Sequence, residues 1–256
     1  MQDETSNGYI FISHSHKDIE KVREIRNEME AAGFDPLCFY LKCLTDEDEL
    51  EELIKREINA RELFAFIDSP NSRKSKWVKK EREYIDSLEN KRTVTIKLEN
   101  YGSMEEIADK LIRGLRVYIS YSHRDYTIAS AIAEKLRQKE FQVLMDEGIT
   151  FGSDYDSEIA GMIEDASQAG AFLVIITENS MKSENLIREL DYAMSIKSLI
   201  LPVYVGDVEL TGKLRFILGP IQSIFIKDPL EGDEEDFDRS MEHIADEVWR
   251  ALEKMI

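Results

Sequence analysis

The strongest constraint on the fold of this chain is an internal repeat. Residues 9–18 read YIFISHSHKD and residues 116–125 read RVYISYSHRD, an offset of 107 (116 − 9). Residues 75–81 match residues 183–189 with an offset of 108 (183 − 75), and a loop insertion of one residue accounts for the difference. Repetition over most of the chain predicts two domains of the same kind. We place the boundary between residues 114 and 115, which gives domains 1–114 and 115–256.

Apolar runs rich in β-forming residues alternate with amphipathic helical stretches in both copies. This order predicts an α/β fold: two flavodoxin-like domains in tandem, each an open parallel β-sheet with helices on both faces. The predicted strands of the first copy are residues 9–13, 35–39, 63–68 and 93–98. Those of the second copy are residues 117–120, 141–146, 171–177, 199–205 and 221–226.

Two helices have clear sequence patterns in the first copy. One apolar stripe consists of Ile19, Val22, Ile25 and Met29, and Gly33 is placed to end that helix. A second helix is predicted over residues 104–115. In the second copy, a stripe over residues 159–166 predicts another. Open parallel sheets bind ligands beyond the carboxyl ends of their strands, which directs attention to the loops after residues 13, 39, 68, 120, 146 and 177.

The charge balance excludes some partners. Acidic residues outnumber basic ones by 19 (52 − 33), so the chain repels nucleic acids and anionic membrane surfaces. Residues 1–8 lack the basic and apolar regions of a signal peptide, and no apolar run is long enough to span a membrane, so we expect a cytoplasmic protein. Cys38 and Cys43 lack partners at metal-binding spacing, so we predict reduced thiols and no metal site.

The most informative helix pattern begins at Ser75, a good N-cap residue. Its apolar stripe consists of Val78, Ile85 and Leu88. Glu81 stands where the stripe needs another apolar side chain, on the same face as Trp77 four residues earlier. Glu189 has the same position in the second copy. Each glutamate is either a solvated side chain favoured by the helix dipole or a carboxylate in a pocket, and the repetition favours the pocket.

These motifs resemble the Toll/interleukin-1 receptor (TIR) domain family over nearly the whole chain. FISHSHKD at residues 11–18 and YISYSHRD at residues 118–125 are similar to its first strand and following loop. SKWVKKE at residues 75–81 is similar to its Ser-x-Trp-x-x-x-Glu helix start, and DEGITFGSDY at residues 146–155 to its BB loop. A tandem without receptor parts looks like the bacterial, NAD-cleaving type, which implies a role in bacterial defence signalling.

The resemblance implies the chemistry and the site. NAD⁺ would be the substrate, with no separate cofactor, and the partners would be other TIR domains, giving a homo-oligomer. The catalytic carboxylates would be Glu81 and Glu189. The substrate-binding residues would be Ser13, His14, Ser75, Trp77, Ser120, Tyr121, Gly152 and Tyr155. Nicotinamide leaves as a neutral ring, so the main task is to stabilise a ribosyl oxocarbenium ion, which one buried carboxylate can do. The product, ADP-ribose or a cyclic isomer, stays open.

Each copy departs from the family pattern at a different place. The first copy has no glycine-bearing loop over residues 39–48, and the second has Asn185 where the family has Trp. Either the two copies share one composite site, or one copy is degenerate and serves as a scaffold. The departures also favour an alternative function, a non-catalytic module that recruits other TIR domains. A third candidate is an enzyme similar to nucleoside deoxyribosyltransferases.

Overall fold

The computed structural model describes residues 8–38, 47–145, 169–228 and 233–256. The chain divides into two compact units, one made of residues up to 112 with 139–141 and 256, the other of residues 113–138 and 142–255. The boundary between residues 114 and 115 stays a prediction.

The first unit contains a parallel sheet of four strands in the order β2-β1-β3-β4. Its strands are β1 (Tyr9–Ser13), β2 (Asp35–Leu37), β3 (Leu63–Asp68) and β4 (Arg92–Lys97). The helices of this part of the chain are α1 (Ile19–Ala31), α2 (Glu47–Asn59), α3 (Lys76–Asp86) and α4 (Met104–Leu115). The chain order reverses direction across the sheet between β1 and β3, which is where open sheets bind ligands.

The second unit repeats this order and adds a strand, giving β6-β5-β7-β8-β9, all parallel. Its strands are β5 (Arg116–Ser120), β6 (Gln142–Met145), β7 (Ala171–Ile176), β8 (Leu199–Val205) and β9 (Ile224–Ile226). Its described helices are α5 (Tyr126–Gln138), α6 (Glu184–Ser195), α7 (Gly212–Leu218) and α8 (Glu234–Leu252). The predicted class, two open parallel sheets in an α/β tandem, is confirmed.

Local sequence signals explain where the helices begin and end. Helix α1 buries Val22, Ile25 and Met29, the predicted stripe. After it, Gly33 adopts a φ of 82°, a left-handed conformation that glycine adopts without strain, and the chain turns into β2. The Ser75 side chain accepts a hydrogen bond from the Val78 amide at 3.4 Å and thereby caps α3.

One face of the first sheet carries the apolar cluster that positions the site. Phe11, Phe64 and Phe66 project from β1 and β3, and they pack against α2 and α3. The helices contribute Ile54, Ile58 and Ile85 to this cluster. Because the three strand residues lie on one pleat face, they bring α2 and α3 side by side over that face.

Several predicted strands differ from the observed ones at their ends. Strand β4 starts and ends one residue earlier than predicted, since Leu98 opens a short 3₁₀ turn. Strand β9 begins at Ile224, three residues later than predicted, and β6 begins at Gln142, one residue later than predicted. Helix α2 was not predicted at all. The helix predicted over residues 159–166 lies outside the described residues.

Candidate functional site

The site is built around a hydrogen bond between two residues that lie 68 positions apart in the sequence. The Ser13 hydroxyl, at the carboxyl end of β1, donates to Glu81 Oε2 at 2.5 Å. Glu81 projects from α3 onto the sheet and is only 9% exposed, and Ser13 is buried as well. The solvated alternative for Glu81 is therefore wrong, and the apolar stripe of α3 carries a buried carboxyl group towards the strand end.

Burial dominates the electrostatics of Glu81. Removal from water raises the pKa of this carboxyl from its ordinary value of 4.5 to about 7, while the Ser13 hydrogen bond acts in the opposite direction. Burial disfavours the ionised form, and a donor aimed at the carboxylate favours it. Glu81 thus changes between its neutral and ionised forms close to neutral pH.

A narrow crevice between α2 and α3 leads to Glu81. Its walls are Glu51, Ile54, Lys55 and Ile58 of α2 and Trp77, Lys80, Glu81 and Tyr84 of α3, around a volume of about 30 Å³. The two helices are tied across it, because Lys80 pairs with Glu51 at 2.8 Å and the Tyr84 hydroxyl donates to Asn59 at 3.0 Å. A volume of this size holds about one water molecule.

Two predicted substrate-binding residues are close to Glu81 in sequence: Trp77 lies on the same helix, and Ser75 immediately precedes that helix. Trp77 is half-buried, packs against the apolar cluster and has the Lys80 ammonium 5.1 Å from its ring centroid. Ser75 uses its hydroxyl oxygen to cap α3.

His14 directly follows Ser13 and is also buried. Its Nδ1 lies 2.9 Å from the Ile12 carbonyl oxygen, which can only accept, so Nδ1 carries the proton. Burial lowers the pKa of His14, so the ring is neutral at neutral pH. Its Nε2 has no hydrogen-bond partner among the described residues. His14 therefore follows Ser13 in the chain as a neutral ring in which Nε2 is the acceptor atom.

The second copy does not repeat the serine–glutamate contact. Ser120 is buried at the end of β5, but its hydroxyl has no hydrogen-bond partner within the described ranges. Glu189 is half-buried on α6. Tyr121 is buried, with ring contacts to His123 and Tyr126. The remaining second-copy candidates, Gly152 and Tyr155 of the BB-like loop, lie outside the described residues.

Comparison of the sequence with protein families decides the membership of the chain. The family model described as TIR domain matches residues 10–115 and, separately, residues 117–241. The chain belongs to the TIR domain family. It carries two such domains in tandem, as the sequence resemblance implied. No curated protein gives a significant match to the sequence.

Solved structures similar to this TIR tandem include TIR domains from animals and from a resistosome. The TIR domain of the Toll-related receptor TRR-2 from Hydra magnipapillata is 15% identical, with 52% of this chain and 96% of that chain covered and a TM-score of 0.38. A metazoan TIR-STING receptor from C. gigas, in complex with 2′,3′-cGAMP, is 20% identical over 54% of this chain and 39% of that chain, with a TM-score of 0.38. The TIR domains of the Roq1 resistosome recognising XopQ are 17% identical over 54% and 82%, with a TM-score of 0.31.

The described part of the TIR tandem has neither a membrane-spanning helix nor a cluster of metal-ligating side chains. None of its helices is long and apolar enough to cross a bilayer. Within the same residues, no group of three or more His, Cys, Asp and Glu side chains is arranged to hold a metal ion.

Sequence reasoning missed two elements of the first TIR domain that surround Glu81. Helix α2 forms one wall of the crevice, and its signal was the spacing of Leu50, Ile54 and Ile58 within a highly charged segment. The other is a polar cluster around Asp18 at the ends of β1 and β3. Its signal was the repeat of SPNS at residues 69–72 as TENS at residues 177–180.

Proposed function

We propose that this chain is an NAD⁺ glycohydrolase or ADP-ribosyl cyclase that uses Glu81 to cleave the bond between nicotinamide and ribose. The proposal places the protein in the cytoplasm, with other TIR domains, including further copies of this chain, as its partners. The product, ADP-ribose or a cyclic isomer, depends on whether water or a base nitrogen of the substrate attacks the ribose.

The observation that carries the proposal is the buried Ser13–Glu81 pair. A carboxyl group with a pKa raised to about 7 at the carboxyl end of a parallel sheet is the kind of perturbed group found at functional sites. Fold stability does not account for this buried carboxyl group, because burying a carboxylate lowers stability. Family membership makes NAD⁺ the first substrate to test.

The chemistry fits a single carboxylate in its ionised form. Nicotinamide departs as a neutral ring, so no general acid is required, and positive charge develops on the ribose. An ionised Glu81 in a poorly solvated position stabilises that charge more strongly than it would in water. The Ser13 hydroxyl donates to the carboxylate and keeps it oriented. The cationic nicotinamide ring would itself favour ionisation of Glu81 on binding.

The direct test follows free nicotinamide after purified protein is incubated with NAD⁺. We expect release by the wild type and none by the Glu81→Gln variant, which keeps the shape of the side chain. Glu83→Gln is the matched control, because Glu83 is an exposed glutamate two residues further along the same helix. Equal release by wild type and Glu81→Gln would remove Glu81 from the mechanism. No release by the wild type at any protein concentration would argue against the function.

A second candidate function is a non-catalytic module that assembles with other TIR domains. The small crevice favours it, since about 30 Å³ is far below the several hundred Å³ of typical small-molecule pockets. Exposed aromatic side chains on the second unit, Phe216 at 84% and Phe225 at 69%, are also typical of contact surfaces. Self-association that persists in Glu81→Gln, without any nicotinamide release by the wild type, would favour this function.

A further inference from the structure

A buried aspartate joins the loops after β1 and β3 in the first unit. Asp18 accepts hydrogen bonds on both carboxylate oxygens, from the Ser69 hydroxyl at 2.6 Å and from the Asn71 side-chain amide at 2.7 Å. Ser72 completes this group, which we call the Asp18 cluster: its hydroxyl accepts from the Ser69 amide at 2.8 Å. The cluster lies where the strand order reverses, beside the carboxyl end of β1.

The Asp18 cluster is connected to α3 by a continuous series of backbone hydrogen bonds. The Arg73 amide donates to the Ser69 carbonyl, the Lys74 amide to the Asn71 carbonyl, and the Ser75 amide to the Ser72 carbonyl. Ser75 then caps α3, which carries Glu81. The position at which α3 begins therefore depends on where Asp18 holds the turn.

The second unit has the same construction around Asp125. Its carboxylate accepts from the Thr177 hydroxyl and from the Asn179 side-chain amide, both at 2.6 Å. The Ser180 hydroxyl accepts from the Thr177 amide at 3.1 Å, as Ser72 does in the first unit. This Asp125 cluster leads through Ser183 into α6, the helix of Glu189.

The geometry points to Asp18 as a positioning residue of the first domain: it fixes the start of α3 and thereby holds Glu81 against Ser13. The expected effect of Asp18 on catalysis rests on the proposed function. Its expected effect on the position and burial of the Glu81 carboxyl does not. Asp125 has an equivalent structural role in a domain where the Ser–Glu contact is absent. A comparison of changes at Asp18 and at Asp125 therefore distinguishes the positioning of Glu81 from general support of the fold.

A direct effect of the Asp18 charge on Glu81 does not explain the connection. The pKa of Glu81 is set by its burial and by the Ser13 hydroxyl, with no contribution from Asp18. Asp18 can act on Glu81 only through the backbone that links them. A change at Asp18 should therefore alter the burial of Glu81.

The experiment compares Asp18→Asn with Asp125→Asn. In each variant one acceptor oxygen becomes an amide donor that faces other donors, so both should lower the thermal unfolding temperature of the protein. We expect only Asp18→Asn to lower kcat for nicotinamide release, by about 10- to 100-fold, as small misplacements of catalytic groups do. Equal loss of activity in both variants, or wild-type kcat in Asp18→Asn, would overturn the positioning role.

Exchanging the aspartate and the asparagine of the Asp18 cluster tests whether the lost activity can be restored. In the double variant Asp18→Asn with Asn71→Asp, the amide of residue 18 can donate to the new carboxylate, and its remaining oxygen can accept from Ser69. We expect this variant to recover most of the lost kcat. Failure to recover, in a protein that folds with the wild-type circular dichroism spectrum, would contradict the hydrogen-bond assignment.

A second readout needs no NAD⁺ cleavage. The difference in unfolding stability between Glu81→Gln and its parent should grow with pH, because only the parent buries an ionised carboxylate. In the Asp18→Asn background we expect this pH-dependent difference to shrink, since Glu81 becomes hydrated, whereas the Asp125→Asn background should retain it. An unchanged difference in Asp18→Asn would overturn the inference even if the wild type proves inactive on NAD⁺.

Discussion

Replacing Glu81 by Gln should make the first domain more stable above neutral pH while it removes the proposed activity. Glutamine keeps the shape of the protonated side chain and can still accept from Ser13, but it cannot ionise. Wild-type Glu81 ionises at about 7 in the folded protein and at an ordinary pKa of 4.5 when unfolded. Between these two values the folded state binds more protons than the unfolded state, so wild-type stability falls as pH rises.

The size of the effect follows from those two values. The gap of 2.5 (7 − 4.5), at about 1.4 kcal/mol for each pH unit, corresponds to about 3.5 kcal/mol. Below pH 4.5 the stability difference between Glu81→Gln and wild type should be constant. It should grow between pH 4.5 and 7 in favour of the variant, and level off above that. The contributions of most other titrating groups cancel in this stability difference, because both proteins contain those groups.

The assay is urea unfolding at pH values from 4 to 8.5, followed by the fluorescence of Trp77. The chain has 2 tryptophans, so both proteins should carry Trp249→Phe, which leaves Trp77 on α3 as the only reporter. Glu83→Gln is the control, and its difference from wild type should not grow over this range. A flat curve for Glu81→Gln, or one that grows towards low pH, would refute the reasoning that burial controls Glu81.

Two further predictions use the repeat as an internal control. Ser13→Ala should cost about 1.5–3 kcal/mol at pH 8, the range for hydrogen bonds to charged groups, and should raise the pKa of Glu81 further. Ser120→Ala should be neutral or stabilising, because its buried hydroxyl has no partner in the described residues, and urea unfolding of both variants checks this. Removing the helix caps by Ser75→Ala or Ser183→Ala should cost about 1 kcal/mol in each unit, again by urea unfolding, and equal costs are expected since both caps have the same geometry.

Sequence patterns were sufficient for the fold because strands and their order leave local signals. Alternation and β-forming residues predicted β1, β3 and β8 with their observed bounds, and the repeat predicted that both halves of the chain have the same fold. Helix α2 escaped detection because charged side chains dominate its sequence and only three apolar positions mark its buried face. Boundaries such as that of β9 depend on pairing with a neighbouring strand, which local sequence does not encode.

The candidate site was predictable only in part, for a physical reason. The position of Glu81 on an apolar stripe was visible in the sequence, but a residue at the edge of a stripe can turn either to solvent or to the sheet. Ser13 and Glu81 meet only through the packing of α3 on β1, so their contact required the tertiary structure. The Asp18 cluster likewise joins two loops that are 51 residues apart, and its signal was a short repeated motif without an obvious role.

The internal repeat also indicates what the buried carboxylate is for. Both units have the parallel sheet, the capped helix after the third strand and the aspartate cluster at the reversal point. The second unit builds all of these with Glu189 only half-buried and Ser120 unpaired among the described residues, so this fold does not require a buried Ser–Glu pair. The first unit nevertheless maintains an ionisable group at a cost of about 3.5 kcal/mol above neutral pH. A costly feature that the same fold can omit is best explained by selection for chemistry, which makes the first domain the place to look for catalysis.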